Sequence, residues 1–155
     1  MNIMRRKDKE ITDPSHIEKI LNEAQVCHLA MVDGSRPYVV PLSFGYAGDY
    51  LYFHSALQGR KIDILRSNPE VCFEFDVVGP LIESDKPCNW SVAYQSVIGF
   101  GRAEFLEDID ARREAFRIIM AHYSRQEYVF SDEQLRTVAM LKVRIAEISA
   151  KQSGF

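Results

Sequence analysis

The stretch YVVPLSFGYAGDYLYFHS, residues 38–55, decides the predicted fold. Over residues 38–46 every second side chain is large and apolar, and this period of two is typical of a β-strand with one buried face. Gly48-Asp49 is a turn dipeptide, and the alternation resumes over Tyr50–Ser55. The stretch therefore predicts two antiparallel strands joined by a tight turn.

The rest of the chain is predicted by the same patterns. Alternating apolar residues predict four more strands, at residues 26–32, 71–77, 92–106 and 139–145. Helical spacing predicts three helices that begin near Asp13, near Gln58 and at Asp108 or Asp110, and a capping box at Ser131 predicts a short fourth one. Because hairpins rather than crossover helices join neighbouring strands, the sequence disfavours a parallel Rossmann-type sheet. It predicts a mainly β (α+β) fold, a small antiparallel barrel with helices at its rim.

The composition of the chain argues against several classes of binding partner. The chain has 155 residues and a formal charge of −3, which disfavours a nucleic-acid binder that relies on net charge. Its three cysteines form no CxxC pair, no metal-ligand spacing is present, and no run is apolar enough to span a bilayer. We therefore expect a cytoplasmic protein without a metal, a nucleic acid or a membrane as partner. Residues 1–12 are predicted to be a flexible arm and residues 13–155 a single domain.

Gly99-Phe100-Gly101 lies inside a strand, so it indicates close backbone approach or a bend rather than a nucleotide-binding loop.

Two cations stand in the first turn of the helix that follows Gly59. Arg60 and Lys61 lie where the helix dipole is positive and N–H groups are unpaired, which disfavours each cation by about 0.3–1 kcal/mol. A bound phosphate reverses the sign, because it accepts from the free N–H groups and from both side chains. The alternative is two solvated side chains whose charge is offset by Asp63.

Three other segments carry residues that can contact a ligand. His54 ends a strand and is the best proton donor available, although such a residue is also common at a barrel rim. Pro41 cannot donate to a ladder, so residues 40–43 form either an edge strand or the contact of a flat heteroaromatic ring. Trp90 and Tyr94 either line a pocket or pack in the core.

In this order, the segments resemble the pyridoxamine 5′-phosphate oxidase-like, FMN-binding split-barrel superfamily, and most of all its nitroimidazole-resistance (nitroimidazole reductase-like) branch. The resemblance extends from about Pro14 to Lys151, and its specificity lies in order and spacing rather than in one motif. It is carried by the segments RPYVVPLSFGY (36–46), YFHSA (52–56), GRK (59–61), NPEVCFEF (68–75) and YQSVIGFGRAE (94–104).

The resemblance implies a six-stranded antiparallel Greek-key split barrel that forms a homodimer with two FMN sites at the interface. It also implies an oxidoreductase in which FMN takes a hydride from NADH or NADPH and passes electrons to a small oxidised acceptor, including nitroaromatic compounds. His54 would be the catalytic residue, because a His in this position abuts the flavin and supplies protons. Residues 149–155 match none of the basic substrate-binding residues of the oxidase proper, so vitamin B6 oxidation is not expected.

The resemblance assigns each part of the cofactor to a different segment. The flavin ring would lie against the backbone of Val40, Pro41, Leu42 and Ser43. The ring and the ribityl chain would lie beside His54 and Ser55, and the phosphate against Arg60 and Lys61. The partner subunit would contribute Ser91, Tyr94 and Ser96, with Trp90 beside them.

Other hypotheses use the same residues. The same barrel can bind haem, with His54 as an axial ligand, and an absorbance spectrum distinguishes haem from flavin. A dimer that binds FMN, or nothing, for a structural or sensing role would oxidise no reduced nicotinamide. A protein that binds a vitamin B6 phosphate would bind pyridoxal phosphate without flavin. Fold alone does not decide among these hypotheses, because function lies in the site.

Overall fold

Eight strands form one antiparallel sheet in the computed structural model, which describes residues 3–155, and the predicted mainly β class is confirmed. The strands are β1 (Glu10–Ile11), β2 (Cys27–Asp33), β3 (Arg36–Leu42), β4 (Gly45–Ala47), β5 (Tyr50–Ala56), β6 (Glu70–Ile82), β7 (Ser91–Phe105) and β8 (Val138–Ser153). The helices are α1 (Pro14–Glu23), α2 (Arg60–Ser67), α3 (Ile109–Tyr123) and α4 (Asp132–Arg136), with short 3-10 turns at Lys7–Lys9 and Pro87–Asn89.

The sheet curls around the core because its two ends are joined by the chain. Its strands follow the order β3-β2-β6-β7-β8-β5-β4, with β1 added beside β8. Only Ser43 and Phe44 separate β3 from β4, and the three Cα–Cα steps between these strands span at most about 11 Å. Within residues 3–155 the two strands form no ladder with each other, so the curled sheet stays split at this point.

Large aromatic side chains fill the inner face of the curled sheet. Phe44, Phe53, Phe73 and Phe75 are fully buried, and the ring centroids of Phe44 and Phe75 lie 4.6 Å apart. Burying one side chain of this size contributes about 1.5–3 kcal/mol, so these four positions dominate the core. The alternation of apolar residues in β5 and β6 is thus explained by one face that packs inward.

The predicted strand over residues 38–46 is interrupted in the structure. β3 ends at Leu42 and β4 begins at Gly45, because Phe44 enters the core and its N–H donates to the hydroxyl of Tyr123 at 3.0 Å instead of to a neighbouring strand. The two halves therefore join opposite ends of the sheet.

A short strand precedes α1. Residues 10 and 11, which the sequence analysis assigned to the arm, pair with Lys151 and Ala150 of β8, and the side chain of Ile11 is buried. Together with the interrupted strand, β1 raises the count from six predicted strands to eight. Flexibility of the arm stays a prediction, and residues 1 and 2 lie outside the described part of the chain.

The interpretation of Gly99 and Gly101 as points of close backbone approach is confirmed. A Cβ atom on Gly101 would lie 2.3 Å from the carbonyl oxygen of Arg144, and one on Gly99 would lie 2.3 Å from the ring of Phe73. The register of β7 against β8 also shifts between Phe100 and Gly101. This bulge lets the long strands bend around the core.

A second layer covers the outer face of β4 and β5. The longest helix, α3, packs there and forms a small apolar cluster in which Ala115 and Ile119 meet Leu106 and Met140. The predicted capping box of α4 at Ser131 is present. No helix in residues 3–155 has the length and apolar character needed to cross a bilayer.

Candidate functional site

The start of α2 is an uncapped helix N-terminus that carries two cations. Gly59 precedes the helix with φ at 137°, a conformation that favours glycine, and no side chain caps the helix. Arg60 and Lys61 occupy the first two helical positions, as predicted. The first-turn N–H groups and both cationic side chains are therefore available to one anion.

Arg60 is held by the hairpin of β2 and β3. Its guanidinium lies over the ring of Tyr38, 4.5 Å from the ring centroid, and one nitrogen is 3.6 Å from the carboxylate of Asp33. Both charged side chains are about half exposed, at 48% and 54%, so this ion pair contributes at most about 1 kcal/mol. Arg60 is thus oriented without being strongly neutralised.

Lys61 is a half-buried cation without an acidic partner. Burial lowers the pKa of its ammonium group, and no carboxylate of residues 3–155 lies within 4.0 Å of it. A partly desolvated charge that lacks a counter-ion is costly, and a bound anion removes this cost.

His54 lies on β5, between the sheet and α3. Its ring centroid is 5.1 Å from that of Phe116, and its Nδ1 atom is buried without a hydrogen-bond partner in the described part of the chain. Burial, and secondly the positive charge of Lys61, lowers the pKa of the imidazole below its usual 6.5. His54 is therefore neutral at pH 7, and Nε2 is the atom through which it can exchange a proton with a ligand.

The ring of Phe116, which lies against His54, packs in turn against an aromatic side chain that was not predicted to belong to the site. The ring centroid of Phe130 lies 4.6 Å from that of Phe116. Arg113 fixes the loop before α4, because its guanidinium donates to the carbonyl oxygen of Phe130 and pairs with Asp132. Of these residues only Phe116 has a local signal in the sequence, because it shares helical spacing with the apolar residues Ile119, Met120 and Tyr123.

The segment predicted to face a flat ring is an edge strand, as the presence of Pro41 indicated. β3 pairs only with β2 among the described strands, so its other edge carries unpaired backbone groups. Val40 and Leu42 pack against the core, whereas Pro41 and Ser43 are exposed. Ser55 is half-buried at the end of β5, next to His54.

Ser91, Tyr94 and Ser96 lie on β7, and the register of the sheet places them far from His54 within one chain. The part of β7 closest to His54 in the register of the sheet is Phe105. Nine residues of strand, about 30 Å, separate Phe105 from Ser96. Their predicted contact with the same ligand therefore depends on a second copy of the chain.

Two residues of the β2–β3 hairpin were missed although they touch the site. Tyr38 belongs to the alternating apolar residues of a predicted strand, and Asp33 precedes Gly34 in a dipeptide typical of turns. Their contacts with Arg60 span more than 20 residues of sequence, and no local pattern predicts such a contact.

Comparison with known proteins identifies several relatives. A candidate 5-nitroimidazole antibiotic resistance protein from Bacteroides thetaiotaomicron is 36% identical, with 92% of this chain and 86% of that chain covered and a TM-score of 0.84. A FAD-binding protein from Mesorhizobium loti is 25% identical, with 92% and 96% covered and a TM-score of 0.69. A flavocytochrome from Azotobacter vinelandii shares the fold at 23% identity, with 99% and 73% covered and a TM-score of 0.83. An uncharacterized protein of Rhizobium meliloti is 34% identical over 55 residues, which are 36% of each chain.

The family match extends over nearly the whole chain. The profile of the pyridoxamine 5′-phosphate oxidase family matches residues 13–152, a range that includes the edge strand β3, the end of β5, the start of α2 and the whole of β7. The resemblance predicted from the sequence is confirmed, and so is the split-barrel fold class that it implied. The chain belongs to the pyridoxamine 5′-phosphate oxidase family.

Proposed function

We propose that this chain is an FMN-binding oxidoreductase that takes electrons from a reduced nicotinamide and passes them to a small oxidised acceptor. Lys61 carries the proposal, because it is a half-buried cation without a carboxylate partner in residues 3–155, at a helix start that has no side-chain cap. The terminal phosphate of FMN fits this position, because it supplies the missing negative charge and accepts from the first-turn N–H groups. Arg60, oriented by Tyr38, would be the second phosphate ligand.

The flavin ring would lie between β3 and the end of β5. Residues 40–43 offer unpaired backbone groups at the free edge of β3, and such groups can pair with the polar atoms of a heteroaromatic ring. His54 and Ser55 would border the ring and the ribityl chain. Bound FMN supplies hydride and electron transfer, and the protein supplies binding, orientation and protons.

His54 would be the catalytic residue. Its Nδ1 atom is buried without a partner in residues 3–155, so proton exchange with an acceptor is restricted to Nε2. The proton donor would be the imidazolium form, which the lowered pKa makes the minor form at pH 7. The ring of Phe116 lies against the imidazole, and Phe130 packs in turn against Phe116. Because the Bacteroides neighbour is named as a 5-nitroimidazole resistance protein, nitroaromatic compounds are the acceptors to test first.

The proposed active form is a homodimer with the cofactor at its interface. Ser91, Tyr94 and Ser96 would then come from the partner subunit, which is consistent with the roughly 30 Å or more of strand between them and Phe105, the β7 residue nearest to His54. Exposed apolar side chains on the outer face of the sheet support a covering subunit, since Phe100 is 50% exposed.

Haem binding is the second candidate. Split-barrel neighbours named as a flavocytochrome and as a FAD- and haem-binding protein share the fold at 23% and 19% identity. A neutral imidazole such as that of His54 can ligate iron through Nε2. A Soret band in the purified protein would favour haem, and flavin bands in the blue would favour FMN. A flavin-bound dimer that oxidises no NADH or NADPH would be non-catalytic.

The flavin content of one double variant tests the proposal. Arg60→Ala/Lys61→Ala removes both proposed phosphate ligands, and alanine suits the first turn of a helix, so we expect a folded protein that retains no FMN after gel filtration. The control Lys19→Ala/Arg125→Ala removes two exposed cations elsewhere and should retain flavin like the unmodified chain. A double variant of the α2 start that still purifies yellow would overturn the phosphate assignment.

A further inference from the structure

A group of cations at the N-terminus has no part in the function proposed above. Arg5, Arg6, Lys7 and Lys9 lie within five residues, and this segment is named the basic arm here. Lys151 of β8 lies beside the arm, because β1 directly follows the arm and Glu10 of β1 pairs with Lys151. Since the whole chain has a charge of −3, the arm concentrates positive charge in one place.

The basic arm has a defined shape. Lys9 is fixed at both ends, because its N–H donates to the carbonyl oxygen of Arg6 at 3.0 Å and its Nζ donates to the hydroxyl of Ser153 at 2.9 Å. Arg6 is held by two hydrogen bonds of 2.6 and 2.8 Å to the carboxylate of Asp8. The buried side chain of Ile11 anchors the following strand to β8.

Two cations of the arm remain available to a ligand. Arg5 and Lys7 are exposed, and no carboxylate of residues 3–155 lies within 4.0 Å of either. Arg6, Lys9 and Lys151 add positive charge around them. Positive charges on neighbouring residues repel one another, and an anion bound by the exposed pair offsets the repulsion.

The arm borders the residues assigned to the partner's cofactor. Met4, which immediately precedes it, lines a cavity of about 120 Å³ together with Ser96 and Lys151. The Nζ atom of Lys151 also lies 5.7 Å from the ring centroid of Tyr94. Under the proposed function, Tyr94 and Ser96 approach the flavin of the partner subunit, so the arm would lie at the entrance to that site.

We propose that the basic arm is a second phosphate-binding site, which takes the diphosphate of the reduced nicotinamide dinucleotide while its nicotinamide reaches the flavin. The inference rests on the proposed function, which requires such a donor. A diphosphate matches the arm, because it carries two negative charges along a short chain and accepts bidentate bonds from arginine. The flavin phosphate of the partner subunit has the same chemistry, and the experiment below separates these two sources.

The variant Arg5→Ala/Lys7→Ala removes the two available cations and leaves the hydrogen bonds of Arg6 and Lys9 in place. ADP-ribose is the donor without its nicotinamide base and keeps the diphosphate. It is titrated calorimetrically into flavin-loaded protein at low salt. We expect its affinity to fall about tenfold or more, because charge-assisted hydrogen bonds are lost. The control Lys19→Ala/Arg125→Ala should bind it like the unmodified chain.

Two further measurements show whether the arm binds the reduced nicotinamide dinucleotide during turnover. The KM for NADH or NADPH should rise about tenfold in the arm variant with kcat unchanged, whereas turnover of 1-benzyl-1,4-dihydronicotinamide, which has no phosphate, should not change. FMN retention should also stay the same. Loss of FMN from the arm variant, or unchanged affinity for ADP-ribose, would overturn the proposal. If ADP-ribose binds through the arm but no reduced nicotinamide is oxidised, the proposed function fails and the arm remains a diphosphate site.

Discussion

The ring centroids of His54 and Phe116 lie 5.1 Å apart, between β5 and α3. The Nδ1 atom of His54 is buried there without a hydrogen-bond partner in residues 3–155. An unsatisfied buried polar atom costs about 1–3 kcal/mol. Places where a sequence accepts such a cost are expected to be functional. The contact therefore supports a role for His54 beyond packing.

Replacing His54 by leucine should change how stability depends on pH. The folded pKa of His54 is lowered, so the unfolded chain binds its proton more readily, and the contribution of His54 to stability is lost as the pH falls below about 6.5. In His54→Leu this component is absent, and the unsatisfied nitrogen is gone. We expect the variant to be at least as stable as the unmodified chain at pH 8, and more so at pH 5, in urea unfolding. Parallel curves from pH 5 to 8 would contradict this.

The charge of Lys61 should be detectable in the titration of His54. Because the ammonium group opposes protonation of the imidazole, Lys61→Met should raise the pKa of His54, and a bound phosphate should raise it for the same reason. NMR titration of the His54 ring protons measures both effects. Lys19→Met, at a lysine that is 70% exposed on α1, should leave the titration unchanged. Equal shifts in both variants would show that the effect is not local.

Removing the carboxylate of Asp33 should strengthen FMN binding. Asp33 lies 3.6 Å from Arg60 and competes with a phosphate for the guanidinium. Because an exposed ion pair contributes at most about 1 kcal/mol, Asp33→Asn should lower the Kd for FMN by about fivefold or less. Quenching of flavin fluorescence measures the Kd, and Asp85→Asn in an exposed loop serves as the control. Weaker binding in Asp33→Asn would mean that the orientation of Arg60 by Asp33 outweighs its competition with the phosphate.

The bend of β7 should depend on Gly101. A methyl group there would lie 2.3 Å from the backbone oxygen of Arg144, which cannot rotate away, so Gly101→Ala should destabilise the protein by about 1–3 kcal/mol. Glu104→Ala, at an exposed position of the same strand, should cost about 0.5 kcal/mol or less. Thermal unfolding compares the two variants, and equal midpoints would contradict the close approach.

Sequence patterns predicted much of the fold because alternation reports burial directly. The period of two in residues 50–55 predicts that Phe53 and His54 lie on opposite faces of the strand, and the structure confirms this, with Phe53 in the core and His54 facing α3. The same pattern failed at Phe44, because alternation continues through a residue that leaves one end of the sheet for the other. Only tertiary packing reveals that interruption.

The candidate site was predicted only in part, for the same reason. Local sequence indicated the cations at the start of α2, since a helix terminus is a local feature. The stacking of Arg60 on Tyr38 and the contact of Phe116 with His54 join segments far apart in the chain. The assignment of Ser96 to a partner subunit rests on resemblance, because a single chain contains no pattern that specifies its copy.

The relative affinity for FMN and riboflavin tests most directly whether Arg60 and Lys61 hold a phosphate. The two ligands differ only in the phosphate, so the ratio of their Kd values isolates its contribution. We expect the unmodified chain to bind FMN about 100-fold more tightly than riboflavin, and Arg60→Ala/Lys61→Ala to bind both alike with the riboflavin Kd unchanged. Equal Kd values for the two flavins in the unmodified chain would contradict the proposed site.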